Sequence, residues 1–507
     1  MSKNPFFTLP DYKKIEHELI NLIRNRLGLI IHEHQVNTLC KTIQEACNKF
    51  KCSPSTYFDL LTKTPDQSPL TEHLIAGITV GETYFFRDKQ QMNLLKSFIL
   101  PRIINAKRSE DNLRLRIWSA GCASGEEIYT IAMMLNELLN DMSEWTLTLL
   151  GTDINTDLLR KAVEGHYGEW SMRSIDDYYK RKYFTKRDHF YVIEKNLRDI
   201  VKFDYLNLND DIYPSIINAT NSQDLILCRN VLIYFDSKQT SLVMKKLSNC
   251  LAPEGYLLLG ASDPIDIKST NLSFHQAGSV LFSNQPIQHK PTNIKPANII
   301  TKKETIQPIK MQAHPKQSTQ IKDTPNLKED SLRLKKLLSE SKWHEILNLI
   351  DKHKDGLKNS TFLMSSKAVA LANLGKPQEA VELLEESFKL EPNNKLNYFT
   401  YALALLELNK STQAEQALRK SLYLDHQFVL AHYQLGLLSL RNKNYFFAIK
   451  CIKNALAIAE SIHPDEKVEG SYQLSFGKLS EILKHELDFY LSIRNDYDVK
   501  DTHTQNA

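Results

Sequence analysis

The sequence predicts a doubly wound α/β domain set between two all-α regions, a small helical domain before it and a solenoid of helical repeats behind it. Three observations carry that prediction. Apolar residues recur at helical spacing through residues 10–90. Strand-like and helix-like runs then alternate through residues 91–285, which implies a parallel sheet covered on both faces. Beyond residue 326, small residues return every 34 positions, the period of a helix–turn–helix repeat.

Each element has its own signal. In "YKKIEHELINLIRNRLGL", Ile15, Leu19, Leu22, Ile23 and Leu27 stand at helical spacing. "HQVNTLCKTIQEACNKF" repeats the pattern, and "SPSTYFDLLTK" opens on a Ser-Pro start signal. "LRLRIW" (113–118) alternates as a strand. "EEIYTIAMMLNELL" puts Ile128, Ile131, Ala132, Leu135 and Leu139 on one face of a helix. "TLTLLGTDIN" reads as a strand and "TDLLRKAVEG" as a helix. "DLILCRNVLIYF" and "EGYLLLGAS" are two further apolar strand-like runs, separated by the helical "SKQTSLVMKKLSNCLAP". "FHQAGSVLFSN" follows with little room for a crossover helix, so an antiparallel addition to the sheet is expected.

The stretch from Pro286 to Pro325 has six prolines, seven lysines and no Phe, Tyr or Trp. It buries too little apolar surface to offset its ordering entropy, so residues 286–326 are expected to be a disordered basic linker. Residues 327–485 are expected to be the repeats. Ala380, Ala414 and Ala448 lie 34 apart, as do Ala368, Ala402 and Gly436. Small residues at these phases let two helices cross closely. The period resembles tetratricopeptide repeats, with three clear units over 361–462 and a degenerate one around "KKLLSESKWHEILNLIDKH". A generic helical bundle is the alternative, and recurrence at two separate phases speaks against it. The concave face of such repeats is expected to hold a protein partner.

Bulk composition narrows the function. A formal charge of +4 on 507 residues argues against a protein that coats nucleic acid. No apolar run is long enough to span a membrane, and "MSKNPFFTLPDYKKIEHELI" lacks the apolar core of a secretory signal. Seven scattered cysteines without a C-x-x-C read as reduced, mostly buried thiols of a cytoplasmic protein.

The chemistry concentrates in "WSAGCASGEE" (118–127), at a strand-to-helix junction. A phosphate-binding P-loop needs a lysine and a hydroxyl after its last glycine, but Glu126 and Glu127 follow Gly125 and would repel phosphate. A dinucleotide turn needs G-x-G-x-x-G, and only Gly121 and Gly125 are present. A hydrolase elbow needs G-x-S-x-G, and Ser124 is out of register. S-adenosylmethionine fits best: it carries no phosphate, its sulfonium and ammonium are cationic, and its ribose offers two hydroxyls. Gly121 and Gly125 would let the backbone approach its methionine part. Asp153 follows Gly125 by 28 residues at the end of a strand, where an acid accepts hydrogen bonds from ribose. Two structural alternatives stay open. Ser124 to Glu127 also spells a capping box, and Asp153 also suits a strand-end turn.

"GETYFFRD" (81–88), "WSAGCASGEEIYTIAM" (118–133), "GTDIN" (151–155), "LNL" (206–208) and "CRNVLIYF" (228–235) occur in that order. Together they resemble the CheR-type chemotaxis receptor methyltransferases over residues 10–285. The resemblance implies a Rossmann-like S-adenosylmethionine-dependent domain that methylates glutamate side chains of chemoreceptor-type proteins. It implies that Thr83 and Arg87 line the cofactor and active site, and that Glu127 and Asp153 hold the amino-acid and ribose ends. It implies that Asn207 and Leu208 flank the adenine, Arg229 and Asn230 close the pocket, and Tyr234 stands beside the methyl group. Gly81 departs from the family, which commonly has Asn there, so one cofactor hydrogen bond is in question. Phe85 and Phe86 read as core. Tyr234 also suits a structural role, and Arg87 an ordinary ion pair.

A glutamate substrate is ionised at neutral pH, with a reference pKa of about 4.3, and the leaving group is a neutral thioether. Neither a general base nor an acid is needed, and no metal is implied. Catalysis is then alignment and exclusion of water, with Arg87 orienting the incoming carboxylate and Tyr234 directed at the same place. Two features depart from the family. The stretch "HEHQVNTLCKTIQEACNKFKC" has Lys41, Lys49 and Lys51 where members often carry an arginine-rich helix. The region 182–203 lacks the glycine-containing loop that some members use to grip a receptor tail, so no tail tether is expected. The fusion to repeats points by analogy to a specialised chemosensory-like pathway. The competing functions are a scaffold acting through its repeats with weak or lost activity, a methyltransferase for RNA or a small molecule, and a nicotinamide oxidoreductase, which the glycine spacing disfavours.

Overall fold

The computed structural model describes residues 10–64, 68–270, 272–276, 280–283, 325–352, 360–442, 444–471, 473–484, 486–487 and 491. The expected linker lies outside the described residues, except that a helix opens at Pro325.

Four helices form the N-terminal domain: α1 (Pro10–Leu27), α2 (Val36–Phe50), α3 (Pro54–Lys63) and α4 (Pro69–Ile78). Ser53 and Ser68 cap α3 and α4, each accepting a backbone N–H three residues on, with proline as the first helical residue. Leu19, Ile23 and Leu27 are the fully buried part of the predicted α1 stripe, and they pack with Leu39, Ile43 and Tyr57. This core ends at Ile78. Phe85 and Phe86 are buried, as expected, but in the core of the following domain.

The α/β domain continues with α5 (Lys89–Leu94), a π-turn over Leu95–Ile99, α6 (Leu100–Ser109), β1 (Arg114–Ala120), α7 (Glu126–Leu138), β2 (Thr146–Asp153), α8 (Thr156–Glu164), β3 (His166–Tyr167), α9 (Asp177–Tyr183), β4 (Phe184–Arg187), β5 (Phe190–Ile193), α10 (Lys195–Ile200), β6 (Val201–Tyr205), β7 (Gln223–Cys228), α11 (Ser237–Cys250), β8 (Leu251–Leu259), β9 (Ser273–Gln276) and β10 (Val280–Ser283). Seven strands form one sheet in the order β6-β2-β1-β7-β8-β10-β9. The first five in that row are parallel. β10 runs antiparallel to β8 and β9 antiparallel to β10, which is the expected addition. The order reverses between β1 and β7, so a crevice opens at the carboxyl ends of those two strands. The apolar run "DLILCRNVLIYF" is strand only to Cys228; Arg229 onward turns across the crevice.

β3, β5 and β4 form a separate antiparallel sheet beside α7. This is a small β unit of the kind the resemblance implies, but its β4–β5 turn is tight, with Asp188 at φ 48° and no glycine.

Three helix pairs follow at the predicted phases: Thr361–Asn373 with Pro377–Leu390, Lys395–Glu407 with Ser411–Leu424, and Val429–Arg441 with Tyr445–Glu460. Pro325–Ser339 and Trp343–Asp351 precede them as a fourth pair. Ala368, Ala380, Ala402, Ala414 and Ala448 are fully buried at helix crossings. A side-chain carbon on Gly436 would stand 2.9 Å from Ile452, so that crossing needs glycine or a shift of Ile452.

The face built by the first helices of these pairs is not free. Residues 212–222 of the α/β domain lie on it. Ile216 sits in the repeat core, with Ile212 and Ile217 packed against it. Asn373 Oδ1 accepts from the Ile216 N–H (3.0 Å), its carbonyl accepts from Asn221 and Ser222, and Gln434 donates to the Ile217 carbonyl. Arg114 and Arg116 of β1 both reach Glu407. The surface expected to receive a partner thus carries the protein's own α/β domain. Asn373, Glu407 and Gln434 are polar groups at the repeat face whose partners only tertiary structure supplies.

Candidate active site

The crevice holds a cavity of about 190 Å³, lined from the N-terminal domain, the 79–87 loop, and the ends of β1, β2, β6 and β7. Every predicted site residue lines it: Gly81, Thr83, Arg87, Glu127, Asp153, Asn207, Leu208, Arg229, Asn230 and Tyr234.

The glycine turn shapes one wall. Gly121 has φ 80°, and a side chain there would meet Val231 at 2.4 Å. Its N–H and that of Cys122 donate to the Thr152 carbonyl, which ties the turn to β2. Gly125 is also left-handed (φ 89°), but it stands outside the cavity lining, precedes the helix, and packs on Phe203 and Ala162. Only Gly121 serves the close approach expected of both.

The adjacent acids separate. Glu126 is 1% exposed and turns away from the cavity, accepting from Ser124 Oγ and Ser171 Oγ, both at 2.8 Å. Burial pushes its carboxyl above the ordinary range, against the pull of those hydroxyls. Glu127 faces the cavity: Oε1 accepts from Ser119 Oγ (2.7 Å), and Oε2 pairs with Arg229 Nη1 (2.9 Å). The capping box does not form, because the helix N-cap is Gly125 and the Ser124 hydroxyl bonds to Glu126.

Arg229 is nearly buried and fully engaged. Its guanidinium holds Glu127, the Gln91 side chain and the Arg87 carbonyl. It therefore fixes the carboxylate and the Arg87 loop from behind. Asp153 ends β2, and its carboxylate accepts the Ala123 and Asn155 N–H groups, both at 2.8 Å. It is a strand-end turn residue and a cavity residue at once, since each oxygen keeps a second lone pair. Burial raises its pKa, with the backbone donors pulling the other way.

Asn207 is 1% exposed, and its amide is spent on the Arg26 carbonyl and the Asn209 N–H. It reaches the cavity while tying the N-terminal domain to the sheet. Asn230 holds φ 58°, and its N–H donates to Asp263. A side chain on Gly81 would meet the tip of Leu158 at 2.5 Å, so Leu158 fills the space an Asn there would use. Arg87 Nη1 donates to the Glu82 carbonyl (2.7 Å), and no other hydrogen bond of its guanidinium forms among the described residues. Burial pushes the Tyr234 hydroxyl up in pKa, with Arg87 opposing.

Sequence reading missed Ser119, Gln91 and Asp263. Ser119 lies inside the quoted glycine motif, one residue from the end of β1, and that position was the available signal. Gln91 is fully buried between Arg229 and the Leu259 carbonyl. Asp263 accepts from the Asn230 and Gly260 backbones, and nothing in its local sequence marks it.

A parallel sheet that reverses order at a crevice, with Glu127 after the glycine turn and Asp153 at the end of β2 both facing the cavity, is the arrangement of an S-adenosylmethionine-dependent methyltransferase. The cavity fits that cofactor on this structure's own terms, since Glu127 and Asp153 keep acceptor capacity toward it. Residues 81–280 match the family model of the CheR methyltransferase SAM-binding domain. Residues 364–394 and 397–428 match a tetratricopeptide repeat model. A chemotaxis protein methyltransferase of Borreliella burgdorferi is 35% identical over 251 residues, which is 49% of this chain and 87% of that protein. Chemotaxis protein methyltransferase 2 of Vibrio cholerae is 34% identical over 191 residues, 38% of this chain and 64% of that one. The chemotaxis protein methyltransferase of Listeria innocua is 27% identical over 257 residues, 51% and 92%. The chain belongs to the CheR methyltransferase family.

Proposed function

We propose that this protein transfers the methyl group of S-adenosylmethionine to glutamate side chains of chemoreceptor-type signalling proteins in the cytoplasm, forming methyl esters. We assign the catalytic roles to Arg87 and Tyr234, and cofactor binding to Gly81, Thr83, Arg87, Glu127, Asp153, Asn207, Leu208, Arg229 and Asn230. The observation that supports this reading best is the cavity itself: carboxylates at the crevice edge, and one arginine at its mouth with donors to spare.

Bound there, S-adenosylmethionine supplies an electrophilic methyl on a sulfonium. Glu127 is held by Ser119 and Arg229 to accept from the cationic amino-acid end, and Asp153 to accept from ribose hydroxyls. Arg87 is held by one hydrogen bond, from Nη1, and by the Tyr84 ring beneath its guanidinium, so its remaining donors orient the incoming carboxylate. The 79–87 loop and Tyr234 wall the approach, and the chain's work is alignment and exclusion of water.

The β4–β5 turn supports the expectation that no receptor tail is gripped, because it is too short to offer a binding loop. Tight retention by receptor C-terminal peptides would contradict it. Lys41, Lys49 and Lys51 are exposed at α2, with Lys41 near Glu45 at 3.7 Å, an ordinary solvated face. The repeats are proposed to meet a protein partner on surfaces other than the one facing the catalytic domain. None of the seven cysteines, all among the described residues, forms a disulfide, and five are buried. Among the described residues, no helix is long and apolar enough to cross a membrane.

The test is methyl labelling of a receptor signalling domain with alkaline release of methanol. Arg87→Ala should lose at least about 100-fold in rate while S-adenosylhomocysteine still binds. Base-stable label, or label on RNA, would end this reading. A scaffold with lost activity predicts no ester on any receptor.

A further inference from the structure

The cofactor cavity and the repeat interface are two ends of one piece of chain. Leu206, Asn207 and Leu208 line the cofactor cavity. Leu206, Ile212 and Pro214–Asn218 line a second cavity, of about 70 Å³, closed on its far side by Val369, Asn373, Leu403 and Tyr433 of the repeats. Between the two, Tyr213 donates its hydroxyl to the Leu208 carbonyl at 2.7 Å and is 2% exposed. The Asn207 carbonyl and side chain accept from the Asp210 and Asn209 N–H groups. Asn218 donates back to the Ile212 carbonyl, so the segment is internally braced.

Its outer half depends on the repeats. Asn373 accepts from Ile216, Gln434 donates to Ile217, and Lys478 pairs with Asp210 at 3.1 Å. Arg116 grips the Ala219 and Asn221 carbonyls while Glu407 neutralises it. Without Glu407, Arg116 would be a buried cation beside Arg114, and its hold on 219–221 would be unbalanced.

We infer that the repeat module is a positioning device for the methyltransferase: its first-helix face clamps residues 209–222 and so sets the adenine-side wall of the cofactor cavity. Asn373, Gln434 and Glu407 are positioning residues that act through Tyr213 and Leu208; none touches the cavity. This rests on the proposed reading of the cavity as the S-adenosylmethionine site. It also gives the repeats an intramolecular ligand, a turned segment that presents Ile212, Ile216 and Ile217 to the repeat core and backbone groups of Ile216 and Ile217 to Asn373 and Gln434.

The full-length protein and its Asn373→Ala, Gln434→Ala and Glu407→Gln variants test this by calorimetry with S-adenosylhomocysteine and by methylation kinetics. Each variant removes buried hydrogen bonding worth about threefold to tenfold in an equilibrium. The expected result is a rise of that size in Kd and in KM for S-adenosylmethionine, with kcat within about twofold of wild type. A merely structural role would instead lower the active fraction, reducing kcat and leaving KM unchanged. Glu415→Ala, which removes an exposed pair with Arg419 on the second-helix face, is the control and should change neither. Unchanged Kd in all three variants overturns the inference while leaving the proposed activity intact. If Asn373→Ala fails to fold, Gln434→Ala, which removes one longer hydrogen bond of 3.2 Å, decides it. No binding of S-adenosylhomocysteine to wild type overturns both readings.

Discussion

Two arginine–glutamate pairs stand in nearly equal burial and do different work. Arg229 and Glu127 have side chains 3% and 12% exposed; Arg116 and Glu407 have 5% and 13%. Glu127 sits at the carboxyl edge of the sheet, takes one donor on each oxygen, and still faces a cavity. Glu407 receives Arg114 and Arg116 on one oxygen at the seam between two domains, and it lines neither the cofactor cavity nor the smaller cavity against the repeats. Burial pushes Glu407 up in pKa, but the two arginines outweigh burial and hold it below the ordinary glutamate range. A buried ion pair is therefore not in itself a site. A cavity at a topological switch point makes one a ligand holder, and a place at the domain seam makes the other a fastener.

The largest effect expected from this contrast is at Glu127. Glu127→Ala removes the cavity-facing acceptor and leaves Arg229 uncompensated. Its Kd for S-adenosylhomocysteine should rise about 100-fold, equivalent to ~3 kcal/mol. Calorimetry giving a change under about fivefold would erase the distinction between the pairs. Glu407→Ala should reverse the emphasis. It strands two buried arginines, so urea unfolding should show a loss of ~3 kcal/mol or more, with a smaller change in cofactor affinity than Glu127→Ala.

Proton linkage sharpens the same contrast. Glu407 has a lowered folded pKa, so its contribution to stability is complete above the ordinary glutamate range and fades as pH falls through the folded value. Acid unfolding of Glu407→Gln should be shallower than wild type below pH about 4. Asp153 is shifted the opposite way. It takes up a proton at a higher pH than an ordinary aspartate and then loses an acceptor for ribose. Binding of S-adenosylhomocysteine should weaken as pH falls toward that value, and Asp153→Asn should bind weakly with little slope. Equal slopes for the two proteins would remove Asp153 from the site. The smallest effect is expected at Gly81→Asn. The obstructing atom is the tip of Leu158, which can turn aside, so affinity should change by about fivefold at most.

Much of this was legible without coordinates because it is local. Period-2 and 3.6-residue patterns, serine caps and the 34-residue recurrence of small residues each act within a few turns of chain. The turn residues Gly121 and Asp153 were legible because strand ends at a switch point demand particular backbone and acceptor chemistry. The misassignments were also local in origin. Gly125 and Gly121 look alike in sequence, and only packing against Phe203 separates them. Ser124 and Glu127 spell a cap, and only Arg229, 102 residues away, claims the glutamate instead.

The sequence by itself determined three folds in series, an acidic glycine turn suited to a sulfonium nucleoside, and a repeat array. Those properties follow from periodicity and from the chemistry of short motifs. Tertiary structure alone decided which of two neighbouring glutamates meets the cavity, that Gln91 and Asp263 brace it, and that the repeats rest on the catalytic domain. Those outcomes depend on groups brought together from 33 to nearly 300 positions apart, where no local pattern records the desolvation and hydrogen bonding that choose the partner.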